Sequence, residues 1–220
     1  MPARPHRLLL ATNNPGKVRE LRALLDPRLW ECLTPADVRL AGLGVPEDGD
    51  SYQANAAKKA RAFADAGGLP TLADDSGIEV DALGGRPGIH SARYAGVDST
   101  EAENRAKLLT ALRGLPPAGR GARYRAVVAL ALPLDPAVGF AEGIVEGRIA
   151  EDERGSGGFG YDPIFELPDG RRMAALTAEE KNRVSHRARA VRAAAPLLAA
   201  LAERLDRQNE HCSGEPSSSA

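Results

Sequence analysis

Cysteine is scarce in this sequence, with only Cys32 and Cys212 among 220 residues. The two lie far apart, and Cys212 falls in a polar C-terminal stretch, so neither a disulfide framework nor a thiolate metal site is expected. Such sparse cysteine usage is typical of proteins in a reducing compartment. We therefore expect a cytoplasmic protein.

Long apolar runs and an excess of one charge are also missing. The longest apolar runs, at 126–134 and 193–202, are well short of the roughly 18 residues that a membrane-spanning helix needs. Lys and Arg number 29 against 30 for Asp and Glu, which gives a formal net charge of −1. The chain as a whole therefore attracts neither nucleic acid nor an anionic membrane, and any anion site must be local.

Strand and helix patterns alternate along the chain. Residues 7–12 have the pattern of a buried strand, a helical repeat follows them, and a second strand is expected at 29–33. Two long strands at 122–132 and 138–150 should pair as an antiparallel hairpin. These elements predict an α/β fold with a mixed, elongated central sheet and flanking helices.

A helix predicted over residues 51–66 carries two adjacent lysines. On a helical wheel Lys58 points away from the apolar stripe, whereas Lys59 lies on its border. The two lysines should therefore have different roles.

The C-terminal helix is predicted from Thr177 to about Leu205, with a kink at Pro196. Its buried stripe should contain Ala188, Val191, Ala195, Leu198, Ala202 and Leu205. Residues 207–220 are polar, and like residues 1–6 they are predicted to be disordered. A single domain is therefore expected over residues 7–206.

Residues 70–85 contain two adjacent acids, Asp74 and Asp75. The pattern predicts a short strand that ends in these acids, a tight turn at Ser76 and Gly77, and another strand. Acids at a strand end can face a cleft, but adjacent side chains in a strand diverge, so only one faces a given ligand easily. Each acid alone could equally be a solvated turn residue or a cap.

A polar turn after the first strand consists of Asn14, Pro15, Gly16 and Lys17. It lacks the first glycine of a P-loop, and Val18 stands where the metal-binding hydroxyl would be, so a P-loop is not expected. Free N–H groups at a helix start, together with a lysine, still favour an anion. The alternative is a simple turn with a solvated lysine.

Carboxylates in a loop strengthen the case for a polyphosphate site. Glu47 and Asp48 lie in a glycine-rich loop, and they could join Asp75 and the lysines. Hard oxygen ligands combined with several cations are what a magnesium-bound polyphosphate requires.

The glycine-rich segment 155–165 is rich in aromatic residues, although the whole chain has only 4%. Phe165 is expected in the core. Phe159 and Tyr161 are flanked by glycines, so they are better placed to stack on a planar ligand. Asp162 could simply cap the turn.

The basic segment 179–190 raises a geometric question about Lys181 and His186. In a continuous helix Ser185 would share a face with Lys181, whereas His186 would point roughly 140° away. If all of them meet one ligand, the helix must break near Ser185, and His186 and Arg187 then begin a new helix. The alternative is a solvated basic face.

Five motifs follow one another in order: "ATNNPGKVREL", "NAAKKA", "LADDSGIEVDALGGRPGIHSARYAG", "GFGYDPIF" and "EEKNRVSHRARA". Together they resemble the noncanonical purine nucleoside triphosphate pyrophosphatases, the inosine/xanthosine triphosphatase family, over residues 8–205. The resemblance implies two lobes around a substrate cleft, a magnesium requirement and a homodimer. It also implies hydrolysis of ITP, dITP and XTP to the monophosphate and pyrophosphate.

The resemblance also implies roles for individual residues. By motif position, the triphosphate contacts Thr12, Asn13, Asn14, Pro15, Gly16, Lys17 and Lys59, and the substrate also contacts Ser76. Asp75 resembles the catalytic acid, supported by Asp74, and Glu47 and Asp75 resemble the Mg²⁺ ligands. The nucleoside-binding set consists of Phe159, Gly160, Tyr161, Asp162, Lys181, His186 and Arg187, with Phe159 as the stacking residue.

Two other functions stay open at the level of sequence. One is a pyrophosphatase of related fold that acts on pyrimidine or modified nucleoside triphosphates. The other is a purine nucleotide sensor without turnover, although a pure binder has no need of Glu47, Asp74 and Asp75 beside a polyphosphate.

Overall fold

The computed structural model describes residues 4–213, with side chains described up to residue 209. Its strands are β1 His6–Leu10, β2 Trp30–Leu33, β3 Thr71–Val80, β4 Gly121–Ala131, β5 Val138–Ile149 and β6 Phe165–Glu166. They form one mixed sheet in the order β2-β1-β3-β4-β5-β6. β1 is parallel to β2 and β3, and the other pairs are antiparallel. The predicted α/β fold and the long hairpin are confirmed.

Helices flank this sheet. The α-helices of residues 4–213 are α1 Pro15–Leu24, α2 Tyr52–Gly67, α3 Glu101–Ala111, α4 Ala178–Val184, α5 His186–Ala193 and α6 Ala195–Ser213. Short 3₁₀ segments lie at Asp81–Leu83, Gly88–Arg93, Pro117–Gly119 and Met173–Ala175. None of the helices in this part of the chain is long and apolar enough to cross a membrane.

The apolar core divides the molecule into two lobes. Alternation along β1 sends Leu8 and Leu10 to one face, against α1, α5 and α6, and Leu9 to the other face, against α2. A separate cluster at the far ends of β3, β4 and β5 packs Ile78 and Ile149 with α3. The long strands β3 to β5 therefore run through both lobes.

Strand β3 corrects the sequence analysis. It is one continuous strand that pairs with β4 from Thr71 to Val80, so the turn predicted at Ser76 and Gly77 is wrong. A Cβ at Gly77 would overlap the carbonyl oxygen of Gly88 and lie 2.6 Å from Ser91 Oγ. This glycine therefore allows a close approach of the Gly88–Arg93 segment.

The C-terminal helices settle an open alternative and correct the predicted helix. The chain breaks at Ser185, between α4 and α5, which is the break required if Lys181 and His186 meet one ligand; the helix predicted from Thr177 to Leu205 is therefore divided. It restarts at Ala195 with Pro196 in the first turn of α6, which shifts the buried stripe: Ala194 is buried, whereas Ala195 is exposed. The predicted position of Ala195 in the stripe is therefore wrong, and Leu205 is only half-buried.

Parts of both ends that were predicted to be disordered belong to regular structure. His6 belongs to β1, where its backbone N–H donates to the Leu29 carbonyl at 2.8 Å. Helix α6 continues to Ser213, so the disorder predicted for residues 207–213 is wrong. Polarity suggested disorder, but Glu, Arg and Gln are also good helix formers in a solvated helix. Residues 1–3 and 214–220 lie outside the described part of the chain.

Candidate active site

A cleft of about 460 Å³ lies between the two lobes. β1 pairs with β3 only at Thr71 and Leu72, so the edge of β3 beyond Leu72 is free of β1. Side chains from both faces of β3 can therefore reach the same region. The cleft is lined by the turn after β1, by α2, by β3, by the glycine-rich loop and by residues of α4 and α5.

The turn after β1 is organised by Asn14. Its Oδ1 caps α1 by accepting from the N–H groups of Gly16 at 2.8 Å and Lys17 at 3.1 Å, and Pro15 occupies the first helical position. Thr12 Oγ1 in turn accepts from the Asn14 N–H at 3.2 Å. The amides predicted to be free for an anion are thus partly used by Asn14.

The other two polar side chains of this turn, Lys17 and Asn13, have different partners. Lys17 lines the cleft, with its Nζ 3.2 Å from Asp74 Oδ2. The Asn13 side chain donates to the Ala41 carbonyl at 3.2 Å, so it fixes the loop that follows β2. The positive charge of Lys17 is therefore the main contribution of this turn to an anion site.

Asp74 is fully buried among cations on one face of β3. Its Oδ2 accepts from Arg187 Nε at 3.0 Å and from Nη2 at 2.9 Å, beside Lys17. Burial alone would raise the pKa of Asp74, but Arg187 and then Lys17 outweigh it and hold the pKa far below its usual range. Asp74 is therefore a permanently charged anchor.

Asp75 faces the opposite side of β3 and lines the cleft. Asn55 Nδ2 donates to its Oδ2 at 3.1 Å, and Lys59 Nζ lies 3.5 Å from its Oδ1. Burial raises the pKa of Asp75, Glu47 raises it further, and Lys59 offsets only part of the shift. Of the two acids, Asp75 is the better proton acceptor.

Lys58 and Lys59 have the different roles that the helical wheel predicted. Lys58 points outward to Asp48, at 2.6 Å. Lys59 Nζ donates to Glu47 Oε1 and to the Asp74 carbonyl, both at 2.7 Å. Burial would lower the pKa of Lys59, but Asp75 and Glu47 outweigh it and raise the pKa, so the ammonium stays charged.

Glu20 is a site residue that the sequence analysis missed. Its Oε1 lies 2.7 Å from Lys181 Nζ, and its Oε2 accepts from Arg187 Nη1. Lys181 Nζ also donates to Asp162 Oδ2 at 2.5 Å. Glu20 follows Lys17 by three positions in α1, so it lies on the same helix face, and that spacing was the available signal.

The glycine-rich loop places its two aromatic rings differently. Phe159 lies against the turn after β1, where a Cβ at Gly16 would be 2.6 Å from the ring, and Lys181 Nζ is 4.6 Å from the ring centroid. Tyr161 is buried in the apolar cluster that contains Ile78 and Ile149, and its hydroxyl donates to the Ser91 carbonyl at 2.8 Å. The expectation that Tyr161 is free of core packing is therefore wrong.

Asp162 and Gly160 hold this loop in shape. The Phe159 N–H donates to Asp162 Oδ2 at 2.9 Å, which confirms a turn-capping role. Gly160 has a φ of 62°, which favours glycine, and its carbonyl accepts from Arg105 Nη1 at 2.8 Å. The position of Phe159 is therefore fixed by both lobes.

His186 begins α5, which Ser185 caps by accepting from the Ala188 N–H at 3.2 Å. The imidazole is buried and stacks on Tyr124, with ring centroids 4.5 Å apart. Burial, and then the charge of Arg187, lower the pKa of His186 well below its ordinary value of 6.5, so the ring is neutral. No polar atom of the described residues pairs with its Nδ1.

Arg187 is committed to protein partners. Besides Asp74 and Glu20, its Nη2 donates to Ser76 Oγ at 3.0 Å, and the side chain is 1% exposed. It therefore anchors α5 to β3 and α1, which leaves His186 as the better placed donor to a ligand.

The acidic groups of the cleft do not form a complete protein cage for a metal. Among the described residues, no group of three or more His, Cys, Asp or Glu side chains could hold a metal ion. Glu47 and Asp75 are the two carboxylates that meet around Lys59. Cys32 is a free, half-buried thiol on β2, outside the cleft lining.

Known proteins are similar to this chain in sequence and in architecture. The Ham1 family profile matches residues 8–197. A dITP/XTP pyrophosphatase of Geobacillus kaustophilus is 49% identical over 185 residues, which cover 84% of this chain and 90% of that protein. The structure of a HAM1 protein from Coxiella burnetii matches with a TM-score of 0.78 at 38% identity, covering 90% of this chain and 99% of that one.

A second solved structure is a nucleoside-triphosphatase / dITP/XTP pyrophosphatase from Mycobacterium abscessus. It matches with a TM-score of 0.68 at 42% identity, and the match covers 86% of this chain and 99% of that one. The resemblance found in the five sequence motifs is therefore confirmed, and the chain belongs to the Ham1 family.

Proposed function

We propose that the protein hydrolyses the noncanonical purine nucleoside triphosphates dITP, XTP and ITP to the monophosphate and pyrophosphate. The names of its relatives support this reaction. The observation that carries it is the position of Asp75, whose carboxylate lines a cleft beside Lys17 and Lys59. A base and two cations in one cleft suit attack on a polyphosphate.

The triphosphate is assigned to the end of the cleft formed by Lys17 and Lys59. Their charges would offset the charge that develops on the pyrophosphate leaving group. Lys181 lies further along the cleft, where it is held by Glu20 and Asp162. Positioning and electrostatics of this kind supply most of the catalysis in phosphoryl transfer.

Glu47 and Asp75 fit Mg²⁺ as its protein ligands. Mg²⁺ commonly uses one or two carboxylates and completes its shell with water and substrate phosphate oxygens, so two acids without a full cage suit it. When bound, Mg²⁺ neutralises phosphate charge and polarises the phosphoryl oxygens.

Asp75 is assigned as the base that takes the proton of the water attacking the α-phosphorus. Its place in the cleft beside Lys59 supports this role, whereas Asp74 is held charged by Arg187 and Lys17 and is assigned to positioning. Asn55 orients the Asp75 carboxylate from α2. No covalent intermediate is needed.

The purine base is assigned to the region of Phe159 and His186. Phe159 would stack on the base, and a neutral His186 would donate one hydrogen bond to a 6-keto oxygen. Adenine presents an amino group there, which faces the His186 donor with another donor. A hydrogen-bond mismatch of this kind can lower kcat/KM about 10⁴-fold. The guanine 2-amino group would have to be excluded by the shape of the cleft.

The assembly and the compartment are part of the proposal. The resemblance to the family supports a homodimer, and the low cysteine content supports a reducing cytoplasm.

Hydrolysis of ITP in heavy-oxygen-labelled water tests the site of attack. Attack at the α-phosphorus places the label in inosine monophosphate and leaves the pyrophosphate unlabelled. Label in the pyrophosphate would contradict the assigned reaction, and release of orthophosphate would point to a different phosphatase.

A further inference from the structure

The ammonium of Lys59 lies between the two carboxylates assigned to Mg²⁺. Its Nζ is 2.7 Å from Glu47 Oε1 and 3.5 Å from Asp75 Oδ1, and it also donates to the Asp74 carbonyl at 2.7 Å. These contacts place a positive charge where a cation shared by Glu47 and Asp75 would lie.

The ammonium and a divalent cation exclude each other at this position. Mg²⁺ requires its oxygen ligands at about 2.0–2.1 Å, and Glu47 Oε1 is already in contact with the Lys59 ammonium. The two positive charges would also repel each other strongly at such a short distance. One of them has to leave before the other can bind.

Asp75 and the loop that carries Glu47 have hydrogen-bond partners besides Lys59. Arg93 Nη2 donates to the Glu47 backbone carbonyl at 2.8 Å. Asn55 joins Asp75 to the loop that carries Glu47, because its Nδ2 donates to Asp75 and its Oδ1 accepts from the N–H of Gly49 at 2.8 Å. The Lys59 ammonium is carried on a flexible four-carbon stem, so a competing anion can draw it away while these other contacts remain.

We propose that Lys59 keeps free divalent metal out of the Glu47–Asp75 site until a polyphosphate draws its ammonium away. This inference rests on the proposed assignment of Glu47 and Asp75 to the metal. The triphosphate is the anion that can accept the ammonium in place of Glu47. Metal therefore enters together with the nucleotide, and the protein alone binds it weakly.

Binding of Mn²⁺ to the full-length chain without nucleotide tests this inference. Free Mn²⁺ is measured by electron paramagnetic resonance during titration of the wild type, Lys59→Met and Lys58→Met. Lys58→Met is the matched control, because it removes the same charge from the adjacent residue, which pairs with Asp48 outside the cleft. We expect Lys59→Met to bind Mn²⁺ about tenfold more tightly or better, and Lys58→Met to bind like the wild type.

Two further measurements make the result specific. Lys59→Gln guards against misfolding of the methionine variant, and thermal unfolding confirms that each variant is folded. Adding Asp75→Asn to Lys59→Met should abolish the gain in Mn²⁺ affinity. Equal affinity of wild type and both Lys59 variants, an equal gain in Lys58→Met, or a gain that survives Asp75→Asn would overturn the inference.

This outcome is separable from the proposed function. Magnesium-dependent release of pyrophosphate from ITP by the wild type tests the function and does not involve the variants. If the wild type is active but the Lys59 variants bind Mn²⁺ no more tightly, the proposed function stands and only the role proposed for Lys59 is wrong.

Discussion

The adjacent acids Asp74 and Asp75 lie in opposite environments on the two faces of β3. Strand alternation sends Asp74 to the face of α1 and α5 and Asp75 to the face of α2, and the free edge of β3 lets Asp75 reach the cleft. Arg187 fixes the charge of Asp74, whereas burial makes the charge of Asp75 costly. The two acids should therefore respond differently to the same substitution.

Replacing each acid by its amide separates catalysis from stability. Asp75→Asn should lower ITP turnover on the order of a hundredfold or more with little loss of folding stability, because its amide oxygen can still accept from Asn55. Asp74→Asn leaves Lys17 without this charge partner and Arg187 with Glu20 alone, which should lower the free energy of unfolding by about 3–5 kcal/mol. Urea unfolding and pyrophosphate release measure both effects; an active Asp75→Asn or a fully stable Asp74→Asn contradicts these roles.

The buried neutral His186 makes stability depend on pH. Its folded pKa lies below the unfolded value of 6.5, so its contribution is complete above pH 6.5 and is lost as the pH falls from there toward the folded pKa. Each pH unit in that range costs about 1.4 kcal/mol. The unfolding free energy of wild type relative to His186→Asn should therefore fall as the pH is lowered from 7.5 to 5. A difference that stays constant would mean an ordinary pKa.

At the scale of elements, the direct contact of α5 with β5 positions His186 and Arg187. A Cβ at Gly143 would overlap the His186 carbonyl oxygen and the Ala190 nitrogen. Gly143→Ala should therefore displace α5. It should lower the free energy of unfolding by about 1–3 kcal/mol and raise the KM for ITP.

Gly139→Ala on the same strand is the matched control. The added Cβ would meet the Leu197 side chain at 3.1 Å, and this flexible group can shift. Urea unfolding and steady-state kinetics compare the two variants. Equal effects at both positions would mean that close packing under α5 is not what places His186.

Elements specified by local signals were predictable from the sequence. The different directions of Lys58 and Lys59 follow from the helical spacing of their neighbours. The continuity of β3 was not predictable, because it depends on pairing with the distant β4 and on the approach of Gly88 to Gly77. Residues 76 and 77 alone have the composition of a turn.

For the candidate site, the sequence identified the motif residues but not the residues that hold them in place. The motif residues converge on one cleft, but their partners were not visible in sequence. Glu20 holds Lys181 and Arg187 from a separate helix, and the core position of Tyr161 depends on Ser91. Such contacts join residues far apart in the chain, which a pattern of neighbours does not encode.

At the scale of the whole molecule, a nearly neutral chain places four cations along one cleft. The formal net charge is −1, yet the cleft is lined by Lys17, Lys59, Lys181 and Arg187. Local charge of this kind can attract a polyphosphate without attracting nucleic acid to the surface. Two lobes built on shared strands enclose this cleft.

The most direct measurement is the release of pyrophosphate and orthophosphate from ITP, XTP, dITP, ATP, GTP, CTP and UTP, each with magnesium and with chelator. The account predicts magnesium-dependent pyrophosphate release from ITP, dITP and XTP, with little from the other four. Comparable turnover of ATP and GTP would contradict the selectivity assigned to His186. Preference for CTP or UTP would identify a pyrimidine pyrophosphatase, and tight ITP binding without turnover would contradict the enzymatic function itself.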